Sequence, residues 1–422
     1  MKVLVLTPYL PHRRVGHGGG TAVRDLITWL AQKHEVMVLS LVRPGEEDLL
    51  AEVAALGAQV KGLPYLDRTA SGTARFDLYT RRLAAFLRSL SSGYPLYVEK
   101  YADQNLARLI SAAVADFQPD AIQVEYLQMS PYCRDLRQLR DAAVRSTPRL
   151  ILNSHELGSL PRERRAQRAS NPLSRWLALR EAAAWRKLQV DASTWADTTL
   201  CVTPEDHELY AVMGGRNLVT MPLGMDLSAL QVDWQPGAVD GRETHLFVGS
   251  FGHRPNVLAA EMLVDRIWPR VLAERPDAHL VLAGRGSDEF LATRIPTDQW
   301  ADRRLEALGF VDDLTPHFRN CRLFVAPLPE GGGIKIKILE AMARGVPVVT
   351  TPVGAEGITR SADGAITISP CDDSFAAAIV RDAADLPGCR QRATVARQLM
   401  ADHFSWDAIT DRLTKLYGDF PQ

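Results

Sequence analysis

The pattern of apolar and polar positions divides the chain into two runs of alternating strands and helices. Lys2-Val3-Leu4-Val5-Leu6-Thr7 is an almost uninterrupted apolar run, as expected of a strand buried on both faces. A loop with Pro8, Pro11 and Gly16 to Gly20 follows, then a helical pattern from about Thr21 to Lys33. Further strand-like runs lie at Glu35 to Leu41, Ala58 to Leu63, Ala121 to Glu125, Leu150 to Ser154 and Thr198 to Val202, mostly separated by helical periodicity. This βα rhythm predicts a doubly wound parallel sheet.

The rhythm breaks at Met221-Pro222-Leu223-Gly224-Met225-Asp226 and the polar stretch Val232 to Glu243, which predicts a hinge. It restarts with strands at His245 to Gly249, His279 to Ala283, Leu305 to Phe310, Leu323 to Ala326, Val346 to Thr350 and Ala365 to Ile368, and a helix over Asn256 to Glu274. Ser374 to Leu386 and Cys389 to Tyr417 read as a helical tail. The predicted organisation is a Rossmann-like domain over 1-222, a second over 223-400, and a C-terminal helix within 401-422 packing back on the first.

The stretch Glu330 to Thr350 reads as glycine loop, helix, turn and strand. Gly331-Gly332-Gly333 frees the backbone just before a predicted helix N-terminus, where amides and the helix dipole favour an anion such as phosphate. Ile334, Ile338 and Met342 form one stripe, Ile336, Leu339 and Ala343 lie beside it, and Lys337 and Glu340 are neighbours at i,i+3. An ordinary helix-turn-strand with an exposed ion pair fits the same residues. An earlier glycine run, His17-Gly18-Gly19-Gly20-Thr21, sits where a dinucleotide fingerprint would sit, but lacks Gly-x-Gly-x-x-Gly spacing. Close approach of a ligand to the backbone and a plain surface loop both fit it.

A length of 422 residues predicts at least two cores, and a net charge of -1 gives no global electrostatic case for nucleic acid. The chain lacks a run of about 18 apolar residues, and its N-terminus leads directly into a strand, so a cytoplasmic protein is expected. Five scattered cysteines and ten histidines without ligand spacing predict reduced thiols and no transition metal. Between Arg162 and Lys187, eight cations face only Glu163 and Glu181, with Trp176, Leu177, Leu179 and Trp185 interleaved. The segment fits a peripheral contact with an anionic membrane surface or acceptor, and equally a solvated helix face.

Taken along the chain, Pro8 with Gly18-Gly19-Gly20, Val124-Glu125-Tyr126, Asn153-Ser154-His155-Glu156, Pro222-Leu223-Gly224-Met225-Asp226, Val248-Gly249-Ser250, Ala283-Gly284-Arg285-Gly286, Gly309-Phe310-Val311-Asp312-Asp313, the 331 to 350 stretch and Phe404-Ser405-Trp406 form a recognisable set. The sequence resembles the retaining GT-B glycosyltransferases of glycosyltransferase family 4, especially bacterial enzymes that build polysaccharides and other cell-surface glycans. The resemblance implies two Rossmann-like domains with a cleft between them and a metal-independent hexosyl or related transfer. A nucleotide-sugar donor would be held mainly by the C-terminal domain, and a hydroxyl-bearing glycan, lipid-linked or small-molecule acceptor by the N-terminal one, with no separate cofactor. It places the diphosphate at Gly332, Gly333 and Ile334, the ribose at Glu340, the nucleobase pocket at Gly284, Arg285, Phe310, Val311 and Asp312, and further donor contacts at Gly19, Gly20 and Gly249. It also implies that His155 contacts the transferred sugar and acceptor. Arg254 and Lys337 are the cations expected to stabilise the leaving diphosphate, because charge develops on it as the glycosidic bond breaks.

There are departures from the family pattern. The glutamate often found eight residues before Glu340 is replaced by Gly332, and Glu330 is the nearby carboxylate that could substitute. The usual basic residue and lysine after Val248-Gly249 give way to Phe251-Gly252-His253-Arg254-Pro255, and Leu223 stands for a usual asparagine. A nucleotide-sugar 2-epimerase shares the architecture, and a non-catalytic nucleotide-sugar binding protein is the third reading.

Overall fold

The computed structural model describes residues 1–13, 18–66, 72–141, 148–237, 241–359 and 362–418. It forms two compact units, Met1–Leu223 together with the segment from Arg412 onward, and Gly224–Asp411.

The first unit is built on seven parallel strands: β1 Lys2–Thr7, β2 Glu35–Val42, β3 Gln59–Pro64, β4 Ala121–Glu125, β5 Arg149–Asn153, β6 Thr198–Cys201 and β7 Leu218–Thr220. Their order is β3-β2-β1-β4-β5-β6-β7. Val3 to Leu6, Ile122, Val124 and Ile151 are fully buried, which accounts for their continuous apolar character. The order reverses between β1 and β4, and such a switch point opens a crevice at the carboxyl ends of the strands. The helix after β1 spans Gly18–Ala31, so Gly18, Gly19 and Gly20 form its first turn rather than the expected loop. His17 lies outside the described residues.

The second unit repeats the plan with β8 Glu243–Val248, β9 Ala278–Ala283, β10 Leu305–Ala307, β11 Leu323–Ala326, β12 Val348–Thr350 and β13 Thr367–Ile368. All its pairings are parallel, in the order β10-β9-β8-β11-β12-β13 that typifies a dinucleotide-binding sheet. Phe247, Leu280, Phe324, Val349, Leu339 and Met342 are part of one continuous core. The helix after the glycine loop spans Ile336–Ala343, so Ile334 precedes it and only packs against the core from outside. The five cysteines are free thiols.

The final helix, Trp406–Gly418, begins in the second unit and ends in the first, where Tyr417 donates its hydroxyl proton to Gln123 on β4 and Leu416 accepts from Arg149 on β5.

Candidate functional site

Two side-chain clusters form at carboxyl edges of the sheets, one in each unit. In the first unit, Glu125 ends β4 and is fully buried. Its Oε1 accepts from Gln123 at 2.5 Å, and its Oε2 accepts from Asn153 Nδ2 at 3.0 Å and faces His155 Nε2 at 2.5 Å. The network continues through Gln123 to the hydroxyl of Tyr417. A carboxylate at such depth is tolerated because each oxygen is engaged.

The residues just beyond these strands have unusual backbones. Tyr126 has φ 68° and His155 has φ 57°, a left-handed conformation that costs non-glycine residues about 1 kcal/mol or more each. Their rings stack at 3.9 Å with planes 10° apart, and Tyr126 N–H donates to the Asn153 carbonyl at 2.9 Å. Burial lifts the Tyr126 phenol well above its usual range. Gly19 packs directly on this tyrosine, and a Cβ there would strike the phenol oxygen. Gly20, in the same helical turn, is buried. Of the sequence candidates, His155 and Gly19 therefore meet, through Tyr126. Glu125 appeared in the sequence only as part of a motif, and its role as the buried partner of His155 depends on the pairing of β4 with β5.

In the second unit, Lys337 Nζ donates to Asn256 Oδ1 at 2.5 Å and lies 4.8 Å from the centre of the Phe247 ring. Asn256 Nδ2 in turn donates to the Ser250 carbonyl at 2.9 Å, which ties the helix starting at Arg254 to the turn after β8. Burial, reinforced by the charge of Lys335, pulls the Lys337 ammonium down to about 7. Burial also raises the Glu340 carboxyl above its ordinary value, against the pull of Arg344 and Lys337. An exposed Lys337–Glu340 pair is thus replaced by two desolvated groups whose charges are poorly compensated, a condition common at binding sites.

Glycine is required at two contacts here. Gly284 has φ 124° and lies against the Gly249 carbonyl, so any Cβ would collide with backbone. A Cβ on Gly249 would approach Lys337 Nζ to 2.8 Å. Gly333, at φ 62°, and Gly331, at φ 141°, shape the loop before the helix at Ile336, where Lys335 is the N-cap residue. Lys335 was not among the candidates, because Ile-Lys-Ile-Lys reads as continuous helix. Its ammonium donates to the carbonyls of Gly333 at 2.5 Å and Gly332 at 3.3 Å and pairs with Glu356 at 3.4 Å, bracing the loop.

Arg254 is largely exposed and pairs with Glu330, Nε to Oε1 at 3.0 Å. The candidate cation and the candidate substitute glutamate are therefore partners. Arg285 lies over the half-exposed ring of Phe310 at 5.8 Å, with Val311 partly exposed beside it, and Gly284 N–H donates to the Gly309 carbonyl at 2.8 Å. Among the described residues, no group of three or more His, Cys, Asp or Glu is arranged to hold a metal ion.

The basic segment forms two helices, Ser159–Arg168 and Pro172–Trp195. Arg162, Arg186 and Lys187 pair with Glu181, Glu163 and Asp191, and Trp185 is buried, so it leaves the exposed apolar set of Trp176, Leu177 and Leu179.

Two Rossmann-like units with a helical C-terminal region define the GT-B architecture of glycosyltransferases. Comparison with known proteins agrees. Residues 242–385 match the family model described as Glycosyl transferases group 1. The lipopolysaccharide core biosynthesis mannosyltransferase LpsB of Rhizobium meliloti is 36% identical over 135 residues, which is 30% of this chain and 38% of that protein. The phosphatidyl-myo-inositol mannosyltransferase of Mycolicibacterium smegmatis is 27% identical over 214 residues, 48% of this chain and 52% of the relative. The chain thus spans about half or less of the length of these curated relatives. Sucrose-phosphate synthase from Thermosynechococcus elongatus superposes with a TM-score of 0.70 over 99% of this chain and 98% of its own, at 16% identity, a likeness of fold.

Proposed function

We propose that this chain is a retaining glycosyltransferase of glycosyltransferase family 4 that moves a hexosyl or related sugar from a nucleotide-diphosphate donor to a hydroxyl of a bacterial cell-surface glycan or its precursor. The observation that carries the reading is the desolvated Lys337 beside the glycine loop, inside the segment that matches Glycosyl transferases group 1. A diphosphate supplies the negative charge that this ammonium lacks, and the N-terminus of the Ile336–Ala343 helix favours the same ligand. Glu340 is assigned to the ribose hydroxyls. The base is assigned to Gly284, Arg285, Phe310 and Val311, and the diphosphate to Lys337, Arg254 and the backbone of Gly332, Gly333 and Ile334. A fold relative, Anabaena Alr3699/HepE, has been crystallised in complex with UDP-glucose, which supports a nucleotide sugar as donor.

In the first unit, Glu125 holds His155 so that the imidazole orients a hydroxyl of the acceptor or transferred sugar. In a front-face displacement, the acceptor oxygen forms its bond to the anomeric carbon as the bond to the β-phosphate oxygen breaks. The hydroxyl proton passes to that phosphate oxygen, so no second carboxylate is needed. Lys337 and Arg254 offset the charge that develops there without a metal ion or separate cofactor. The enzyme is placed at the cytoplasmic face of the membrane, with the Arg162 to Lys187 segment as a peripheral contact.

The test is transfer to a panel of hydroxyl acceptors, with the anomeric configuration of donor and product read by NMR. Retention supports the proposal, and inversion contradicts it. Conversion of the donor sugar without acceptor would instead identify an epimerase. Saturable donor binding with neither transfer nor hydrolysis would favour a binding protein, a reading motivated by Gly332 in place of a glutamate.

A further inference from the structure

Beside the Glu125 and His155 cluster, four tyrosines and an arginine gather at the carboxyl edge of the first sheet. Tyr9 follows β1, Arg43 follows β2 and Tyr65 follows β3. Tyr65 N–H donates to the Val42 carbonyl at 2.7 Å, which carries the pairing of β2 with β3 one step past the strands and sets Tyr65 beside Arg43. Tyr97 and Tyr101 reach the same edge from the short helix Leu96–Glu99 and the turn after it. Their hydroxyls form a chain, Tyr9 to Tyr97 at 2.9 Å and Tyr97 to Tyr101 at 3.3 Å, and Gln128 Nε2 donates to Tyr9 at 3.2 Å. Tyr65 stacks on Tyr101 with ring centres 5.7 Å apart. At the other end the edge of Tyr9 meets Tyr126 at 5.3 Å, and Tyr126 stacks on His155. One aromatic floor thus runs from Tyr65 to the imidazole assigned to the acceptor.

The floor is open rather than part of the core. Tyr97 is 39% exposed, and Tyr9, Tyr65 and Arg43 are partly exposed, whereas the neighbouring Tyr132 is buried and spends its hydroxyl on the Tyr101 carbonyl. The Arg43 guanidinium lies 4.5 Å from the Tyr9 ring centre and 5.6 Å from that of Tyr65. Among the described residues it has no carboxylate partner. Glu46, three residues on, accepts from the Arg43 main-chain N–H at 3.0 Å and lies 3.5 Å from His12 Nε2. Arg82 is a second cation whose charge reaches the Tyr65 hydroxyl. A guanidinium held over ring faces keeps its planar N–H fork for a carboxylate or phosphate, which it binds through two bonds. Flat rings with hydroxyls between them suit a pyranose, whose C–H faces are apolar and whose rim is polar. The two features together select a sugar that carries a negative charge.

We propose that this floor binds an acidic glycoside as acceptor, with a pyranose ring on Tyr9 and Tyr97 and a carboxylate or phosphate on the Arg43 guanidinium. The inference rests on the reading of the first unit as the acceptor side, and it narrows the acceptor from any hydroxyl compound to an anionic sugar. Titration calorimetry of the full-length protein with methyl glucoside, methyl glucuronoside and methyl glucoside 6-phosphate tests it, with inorganic phosphate as control. At least one anionic glycoside is expected to bind about tenfold or more tighter than the neutral one, and about 0.5 M salt should shrink the difference. The better of the two tells carboxylate from phosphate. Arg43→Gln should bring that glycoside down to the neutral level with an unchanged melting temperature. Arg43→Lys, which keeps the charge without the planar fork, should recover only part of the preference. Equal binding of the three glycosides, binding of none, or a preference that survives in Arg43→Gln would overturn the proposal. So would inorganic phosphate bound as tightly as the preferred glycoside. Melting temperatures with nucleotide sugars, read on the same samples, keep the two readings apart. Donor binding without an anionic preference sinks the subsite and leaves the transferase standing, whereas Arg43-dependent glycoside binding without donor binding does the reverse.

Discussion

The Glu125 carboxylate lies 2.5 Å from His155 Nε2, and Glu125 is fully buried while the His155 backbone is held at φ 57°. The carboxylate fixes the ring from beneath, Tyr126 stacks on its face, and the strained backbone is maintained by both. In the proposed reaction, this fixed ring is what His155 would present to a substrate hydroxyl.

Glu125→Gln keeps the shape of the side chain but removes its charge and one acceptor. The expected outcome is a fall in kcat of about ten- to a hundredfold with little change in donor KM, because orientation rather than donor binding is disturbed. His155→Ala should match it in direction, and the double variant should be no worse than the weaker single. Steady-state rates of the three variants check this, and additive losses would show that the two residues act independently.

Lys337 gives a pH signature. Its folded value near 7 lies below the ordinary 10.5, so between those values the unfolded chain holds a proton that the native protein lacks. Its contribution to stability therefore rises with pH across that window, and Lys337→Met should flatten this part of the profile. Chemical denaturation at pH 7 and pH 9 measures the difference.

A bound diphosphate would restore the Lys337 proton, so binding near pH 8 should take up as much as about one proton, and affinity should fall as pH rises further. Calorimetry in buffers of different ionisation enthalpy reads the uptake directly. Lys337→Met should abolish it and weaken binding without loss of stability, since a partly desolvated ammonium held by a neutral amide and a ring face, with no carboxylate partner in contact, contributes little to the fold.

Gly284→Ala places a methyl against the Gly249 carbonyl at a backbone angle disfavoured for side chains. A loss of roughly 1–3 kcal/mol is expected, confined to the second unit and visible as an earlier transition in thermal unfolding. By contrast, Arg254→Ala removes an exposed pair with Glu330 and should shift stability by less than about 1 kcal/mol while weakening diphosphate binding.

The buried strands were legible because parallel sheets cover both faces, as at Val3 to Leu6, and the two-unit fold follows from their alternation with helices. The edge strand Leu218–Thr220 escaped notice, being three residues long and partly exposed. Gly18 to Gly20 read as loop because glycine disfavours helix, yet close packing on Tyr126 admits no larger residue at Gly19. Lys337 was visible as a candidate, but its desolvation was not, because Asn256 and Phe247 reach it from distant segments. The same holds for Glu125 and His155, thirty residues apart and joined only when β4 and β5 pair.

The most direct measurement is thermal unfolding of the full-length protein with millimolar UDP, GDP, ADP and dTDP sugars, alongside Lys337→Met. A donor at about a hundred times its Kd adds roughly 2.7 kcal/mol. The expected result is a clear rise in melting temperature with sugars of one base, absent in Lys337→Met. No rise with any of the four, or an equal rise in the variant, would contradict a nucleotide-sugar diphosphate at the glycine loop.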